Sequence, residues 1–290
     1  MQFNIYKEYN TSIMVVEIQN RAPGRASRGN GDTLTPQPIE VNYNNYVLEA
    51  YSGPSYLAKK DWLDARVLDL TVRSGRWSSA DIAEEMVRRG SVVRANSKAN
   101  KIYSPSIILF RLKDKLSDEP DAYVGFSKQC LRRIHTTIAG EVQLFHLQAR
   151  AILEGHRGVG LGRFAIQQGR LLYNEATHFG QRSASAIAFQ SALGTQGIFR
   201  EGRRAPWDLR FDEDFLLEEI VTNWFFQIRA YGRTLDMSTG VSIGDYPEGN
   251  RTDLPRLDHA PTMELRRRMQ EEFGMVFSRG DSLNGVYEFR

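Results

Sequence analysis

Apolar residues gather in short β-branched and aromatic runs in some stretches of the chain and recur at helical spacing in others. From Val41, "VNYNNYVLEAYS" reads as a strand. The next stretch, "PSYLAKKDWLDARVLDLTVRSG", sets Leu57, Trp62, Leu63, Val67 and Leu70 near helical spacing. A second helix is marked by its ends: in "SSADIAEEMVRRG", Ser78 or Ser79 supplies the N-cap oxygen, acidic residues fill the first turn, arginines the last, and Gly90 stops it. Four strand-like runs follow, "SVVRANS", "SIILFRLKD", "DAYVGFSKQC" and "EVQLFHLQARAIL". The Pro, Asp and Ser of "KLSDEPD" predict a hairpin turn between the second and third, so this block reads as an antiparallel meander.

The meander runs into "RFAIQQGRLLYNEATHFG", a helix with Phe164, Ile166, Leu171 and Leu172 on its apolar side, and then into a strand, "SASAIAFQSALG". Residues 195–260 hold the basic stretch "REGRRAP", a strong helix "DEDFLLEEIVTNWFFQIRAYG" and a Gly/Pro/Asp-rich tail. The end of the chain predicts a helix from Pro261 or Thr262 and two short strands around "SRGDSLNG". Before all of this, "SIMVVEIQ" reads as a strand and "NRAPGRASRGNGDTLTPQP" as a linker or arm. Its Arg21, Arg25 and Arg28 are better read as solubilising than as a polyanion contact.

Composition narrows the class without choosing a function. With 290 residues, 41% hydrophobic, the chain is long enough for a sizeable core, and a net charge of +3 gives no global field for nucleic acid. A single cysteine, Cys130, excludes an internal disulfide and a cysteine metal site. The five histidines never take the HExxH spacing, so no catalytic metal is expected. The chain opens without a basic region and apolar run, and no apolar segment approaches about 18 residues. These features lead to the expectation of a soluble, cytoplasmic protein with no membrane partner.

One loop carries chemistry. In "EGHRGVGLGRFAIQQGRLLYNEA", from Glu154 to Ala176, Gly158, Gly160 and Gly162 alternate between Arg157 and Arg163, and the pattern turns helical at once. Glycines at such a junction let backbone N–H groups converge on an anion, helped by the positive end of the following helix. Two familiar phosphate loops fail on spacing. A Walker loop ends in Gly-Lys-Ser/Thr, whereas this one ends Gly162-Arg163-Phe164. A dinucleotide fingerprint needs GxGxxG, and here Gly162 comes one residue too soon.

The hexapeptide "RGVGLG", Arg157 to Gly162, resembles the Arg/Gln-x-x-Gly-x-Gly/Ala signature of the GCN5-related N-acetyltransferase (GNAT) superfamily. The order of strand, two helices, hairpin, long strand, loop, helix and strand is similar to that family's core. "DAYVGFSK" resembles its third strand, and "MQEEFGMVFSRGDSLNGVYEFR" its last helix, turn and last two strands. The resemblance spans about 41–194 and 261–290. It implies an α/β (α+β) fold with one splayed, mixed central sheet flanked by helices. Residues 195–260 would then be a helical insertion before the last helix, and 1–40 an N-terminal strand and arm.

The same resemblance implies an acyl-coenzyme A-dependent N-acyltransferase, with acetyl-coenzyme A as donor, no metal, and direct attack by a primary amine. The backbone amides of Gly158, Val159, Gly160, Leu161, Gly162 and Arg163 would hold the pyrophosphate, the charges of Arg157 and Arg163 would hydrogen-bond its oxygens, and Ala151, Ile152 and Leu153 would pair with the pantetheine arm. The family's strand glutamate falls on His146, whose ordinary pKa of about 6.5 suits a base; a merely packed histidine fits equally well. Glu141 and His156 are weaker candidates, and the family's helix tyrosine falls on Gln270, which leaves no named acid. Trp224, Phe225, Phe226 and Tyr231 either wall an acceptor pocket or, the better reading, pack a core. Two alternatives stay open: a nucleic-acid base or protein lysine as acceptor, and a non-catalytic coenzyme A-binding module. A homodimer is open too.

Overall fold

The stretch read as one strand from Val41 is a hairpin. Strands β1 (Ile39–Tyr43) and β2 (Tyr46–Ser52) pair antiparallel, with Tyr43 opposite Tyr46 across Asn44-Asn45. Asn44 adopts φ +51°, the left-handed conformation that a two-residue hairpin turn demands and asparagine tolerates. The computed structural model describes residues 36–75, 81, 84, 102–119, 121–183, 199–205, 215–229, 234–245 and 260–289. The N-terminal strand and nearly all of the arm, most of the helix expected at 78–90, the strand at 91–97 and nearly all of that at 183–194 lie outside them.

The expected long helix after β2 is broken at Lys59 into α1 (Gly53–Ala58) and α2 (Lys60–Arg73). Leu63, Val67 and Leu70 of α2 are buried, as their spacing requires. The meander follows as β3 (Ile102–Leu112), β4 (Tyr123–Thr136) and β5 (Gly140–Ile152), all antiparallel. Pro105, which cannot donate to a ladder, falls where the β3–β4 register shifts between Tyr103 and Ser106.

Helix α3 (Leu161–Leu172) is shorter than its sequence pattern suggests. The residues "HFG" expected at its end begin β6 (His178–Ser183), drawn into the sheet where Thr177 donates to Gln143 O and accepts from Phe289 N. Leu171 faces out, while Leu161, Ala165 and Ile166 are buried. Gly169 is buried mid-helix because a side chain there would run into the Phe145 ring, so α3 lies close on the sheet.

The segment 195–260 supplies β7 (Phe199–Ala205), α4 (Phe215–Arg229), β8 (Leu235–Asp236) and β9 (Val241–Ser242). Then come α5 (Ala260–Phe273) and β10 (Ser282–Phe289). Where two final strands were expected there is one, preceded by a 3-10 turn at Phe277–Arg279. The physical reason is Asp281: its carboxylate accepts the N–H groups of Val276 and Gly244 and pairs with Arg279, which winds the chain into a turn.

Among the described residues the strands form one sheet in the order β1-β2-β3-β4-β5-β6-β10-β9-β8, with β7 also on β10. Of these described pairings only β5–β6 is parallel. Helices α1, α2 and α4 cover one face and α3 and α5 the other. Buried on both sides, β2 lacks the polar alternation of a one-sided strand. Its Glu49 is tolerated there because Tyr51 and Tyr123 donate to Oε2 at 2.9 and 2.8 Å and Arg111 pairs with Oε1. This is the mixed α/β architecture expected, with helices flanking a splayed sheet.

Candidate active site

The splay is set by register. Parallel pairing of β5 with β6 runs from Leu144 opposite His178 to Leu147 opposite Gln181. Gln148 is then an extra residue in β5, since Gln129 opposes Leu147 while Lys128 opposes Ala149, and such a bulge bends a strand. Beyond it β5 keeps β4 as far as Ile152 opposite Gly125. Its other edge has no strand partner among the described residues. Ala151 turns its carbonyl to β4, 2.6 Å from where a Cβ on Gly125 would stand, and Leu153 N donates to Val124 O at 2.8 Å. By the alternation of the ladder, the backbone groups of Arg150 and Ile152, not those of Ala151 or Leu153, face the open edge.

That edge leads directly to the glycine loop. After a 3-10 turn at Glu154–His156, Gly158 (φ +82°) and Gly160 (φ +89°) adopt left-handed conformations on either side of the exposed Val159. Gly160 is the N-cap of α3 and offers no side chain to it. The first helical bond is Phe164 N to Gly160 O, 3.0 Å, so the N–H groups of Leu161, Gly162 and Arg163 have no acceptor among the described residues. No acidic residue sits in this first turn, and Arg163 stands exposed there. Four orphan donors and the positive end of a dipole are what every helix start presents. Here β5, bent at Gln148, leads into them along an edge that no described strand pairs.

Side chains brace the loop from three sides. Arg157, expected at the phosphate, turns inward: Nε donates to Ile152 O at 2.9 Å and Nη2 to Ser74 O at 2.8 Å, tying the loop to β5 and to the end of α2. Arg150 Nη1 donates to Gly162 O at 2.8 Å and fills the space a side chain at 162 would need. From the β1–β2 hairpin, Tyr43 Oη donates to Val159 O at 3.0 Å, and Tyr46 Oη meets His156 Nδ1 at 3.1 Å. Sequence reasoning missed Tyr43, Tyr46 and Arg150; the tyrosines flanking Asn44-Asn45 were the available signal.

His146 lies on the α2/α4 face, buried, with its ring edge-on to Trp224 at 5.7 Å. Arg132 Nε donates to its Nδ1 at 2.7 Å, and Cys130 Sγ is 3.9 Å from the same nitrogen. A guanidinium only donates, so Nδ1 is the acceptor and the neutral ring carries its proton on Nε2. Glu141 stands at the far end of β5 with Arg133 at 3.0 Å, away from the loop. Gln270 is exposed on α5 beside the buried Met269, and an amide has no acidic proton to give. Trp224 and Phe225 pack the core under α4, Phe226 is exposed, and Tyr231 lies outside the described residues. No group of three or more His, Cys, Asp or Glu that could hold a metal occurs among the described residues, and no described helix is long and apolar enough to cross a membrane.

No family model and no curated protein matches the chain. Solved structures do. An aminoglycoside antibiotic 6'-N-acetyltransferase from Acinetobacter haemolyticus is similar over 53% of this chain and 90% of its own, at 15% identity and a TM-score of 0.31. An acetyltransferase from Thermus thermophilus is similar over 53% and 86%, at 19% identity and 0.30. A GCN5-related glucosamine N-acetyltransferase region of a fungal multi-domain GH3 β-N-acetylglucosaminidase is similar over 84% and 26%, at 10% identity and 0.29. At such identities no substrate passes from those proteins to this one. What the chain itself displays, among the described residues, is a mixed sheet whose one parallel pair splays open onto a glycine loop and helix start.

Proposed function

We propose that the protein is an acyl-coenzyme A-dependent N-acyltransferase, using acetyl-coenzyme A and a primary amine. The observation that carries this is the continuity between the β5 edge at Arg150 and Ile152, which no described strand pairs and where Arg157 already holds Ile152 O, and the N–H groups of Leu161, Gly162 and Arg163, which have no acceptor among the described residues. An extended arm with amide groups can pair along the first, and a diphosphate can seat on the second. Coenzyme A has both parts in that order. Arg163 adds a positive charge at the diphosphate end, while Arg157 holds the loop in shape.

The bound donor supplies a thioester carbonyl as electrophile. The attacking amine must be neutral, and an amine with a pKa near that of lysine, about 10.4, is mostly protonated at pH 7. His146 is the base position implied by resemblance, but its Nδ1 lone pair is already engaged by Arg132 and its other nitrogen carries the proton. In this reading His146 orients Arg132, and the amine loses its proton to water. The sheet edge orients the thioester against the amine.

A second reading, a coenzyme-binding module without turnover, draws support from Gln270 in the tyrosine position and from the engaged His146. One experiment separates the two. The protein is mixed with acetyl-coenzyme A and a panel of small amines, lysine peptides and oligonucleotides while free thiol is followed. Thiol release that requires both protein and one acceptor class supports the transferase. Saturable coenzyme binding with no thiol from any acceptor supports the module, and absence of coenzyme binding defeats both.

A further inference from the structure

We infer that Tyr43, on a hairpin remote in sequence from the loop, is a positioning residue for the donor diphosphate; the inference rests on the coenzyme reading above. Its hydroxyl donates to Val159 O at 3.0 Å, the carbonyl between the two left-handed glycines. A trans peptide directs its C=O and N–H to opposite sides. Holding the Val159 oxygen toward the hairpin therefore directs the Gly160 N–H away from it and keeps an oxygen that would repel phosphate out of the concavity. The ring is fixed as well, stacked on Phe164 of α3 with centroids 4.3 Å apart and planes 23° from parallel. A Cβ at Gly160 would collide with the Tyr43 hydroxyl, so loop and tyrosine fit only when residue 160 is glycine. The turn at Asn44 sets the hairpin end that carries Tyr43.

The test compares a donor with the diphosphate to one without it. Coenzyme A and pantetheine are titrated into the wild type, Tyr43→Phe, which keeps the stack and loses the hydrogen bond, and Phe164→Leu, which keeps the hydrogen bond and loses the stack. Loss of one such bond corresponds to about 3- to 10-fold weaker coenzyme A binding. The expected result is that loss in Tyr43→Phe, a loss in the same direction in Phe164→Leu, and wild-type affinity for pantetheine in both. With turnover, KM for acetyl-coenzyme A rises while kcat holds. Unchanged coenzyme A affinity in a folded Tyr43→Phe overturns the inference, as does an equal loss for both ligands. If the wild type itself fails to bind coenzyme A, the coenzyme reading falls and takes this inference with it.

Discussion

Arg132 donates to His146 across adjacent strands, from β4 to β5, at 2.7 Å, and both side chains are buried. The pair fixes which imidazole nitrogen holds the proton and gives Arg132 one of its acceptors.

For that pair, His146→Ala is expected to destabilise the fold by about 1.5–3 kcal/mol, because it takes an acceptor from a buried charged donor. His146→Gln, whose amide oxygen can accept, should recover part of this. Urea denaturation reads the stability. The pH–rate profile of folded His146→Gln should keep its acidic limb; loss of that limb would make His146 the base after all.

At Gly160 (φ +89°), alanine faces backbone strain of about 1–2 kcal/mol and a collision with the Tyr43 hydroxyl. Gly160→Ala should therefore bind coenzyme A roughly tenfold more weakly or worse. Calorimetry on a variant with a native circular dichroism spectrum checks this. Gly158→Ala should act in the same direction, because residue 158 also holds a left-handed φ of +82°.

Gly169→Ala sets two effects against each other. Helix propensity favours alanine by about 1 kcal/mol, while overpacking against Phe145 costs about 1–3 kcal/mol. A lower melting temperature is expected, and Phe145→Leu in the same chain should restore part of it.

Asp281 gives a pH dependence. Burial pushes its carboxyl up, but Arg279 and the N–H groups of Val276 and Gly244 outweigh burial and hold it below the ordinary carboxylate range. A group lowered in the folded state stabilises fully above its unfolded pKa, about 3.9, and loses that contribution as pH falls through the lower folded value. Stability should decline below about pH 4 in the wild type. Asp281→Asn should melt lower at pH 7 and show a shallower acid decline.

The glycine loop and the helix after it were legible because their signals are local: alternating glycines, then apolar residues at helical spacing. Leu63, Val67 and Leu70 were legible for the same reason. The hairpin in "VNYNNYVLEAYS" was not, since Asn-Asn lacks the glycine that usually marks such a turn, and Tyr43 was missed with it. The strands β8 and β9 are two residues each and too short to carry a period. The inward turn of Arg157 and the engagement of His146 depend on Ser74 and Arg132, contacts no spacing rule reaches.

The central claim is that the loop amides receive the diphosphate of coenzyme A, and backbone amide NMR tests it most directly. Adding coenzyme A to isotopically labelled protein should shift the resonances of Gly158, Gly160, Leu161, Gly162 and Arg163, and pantetheine should leave them in place while moving those of Arg150 and Ile152. Saturation with coenzyme A that leaves the loop resonances unmoved would contradict the account.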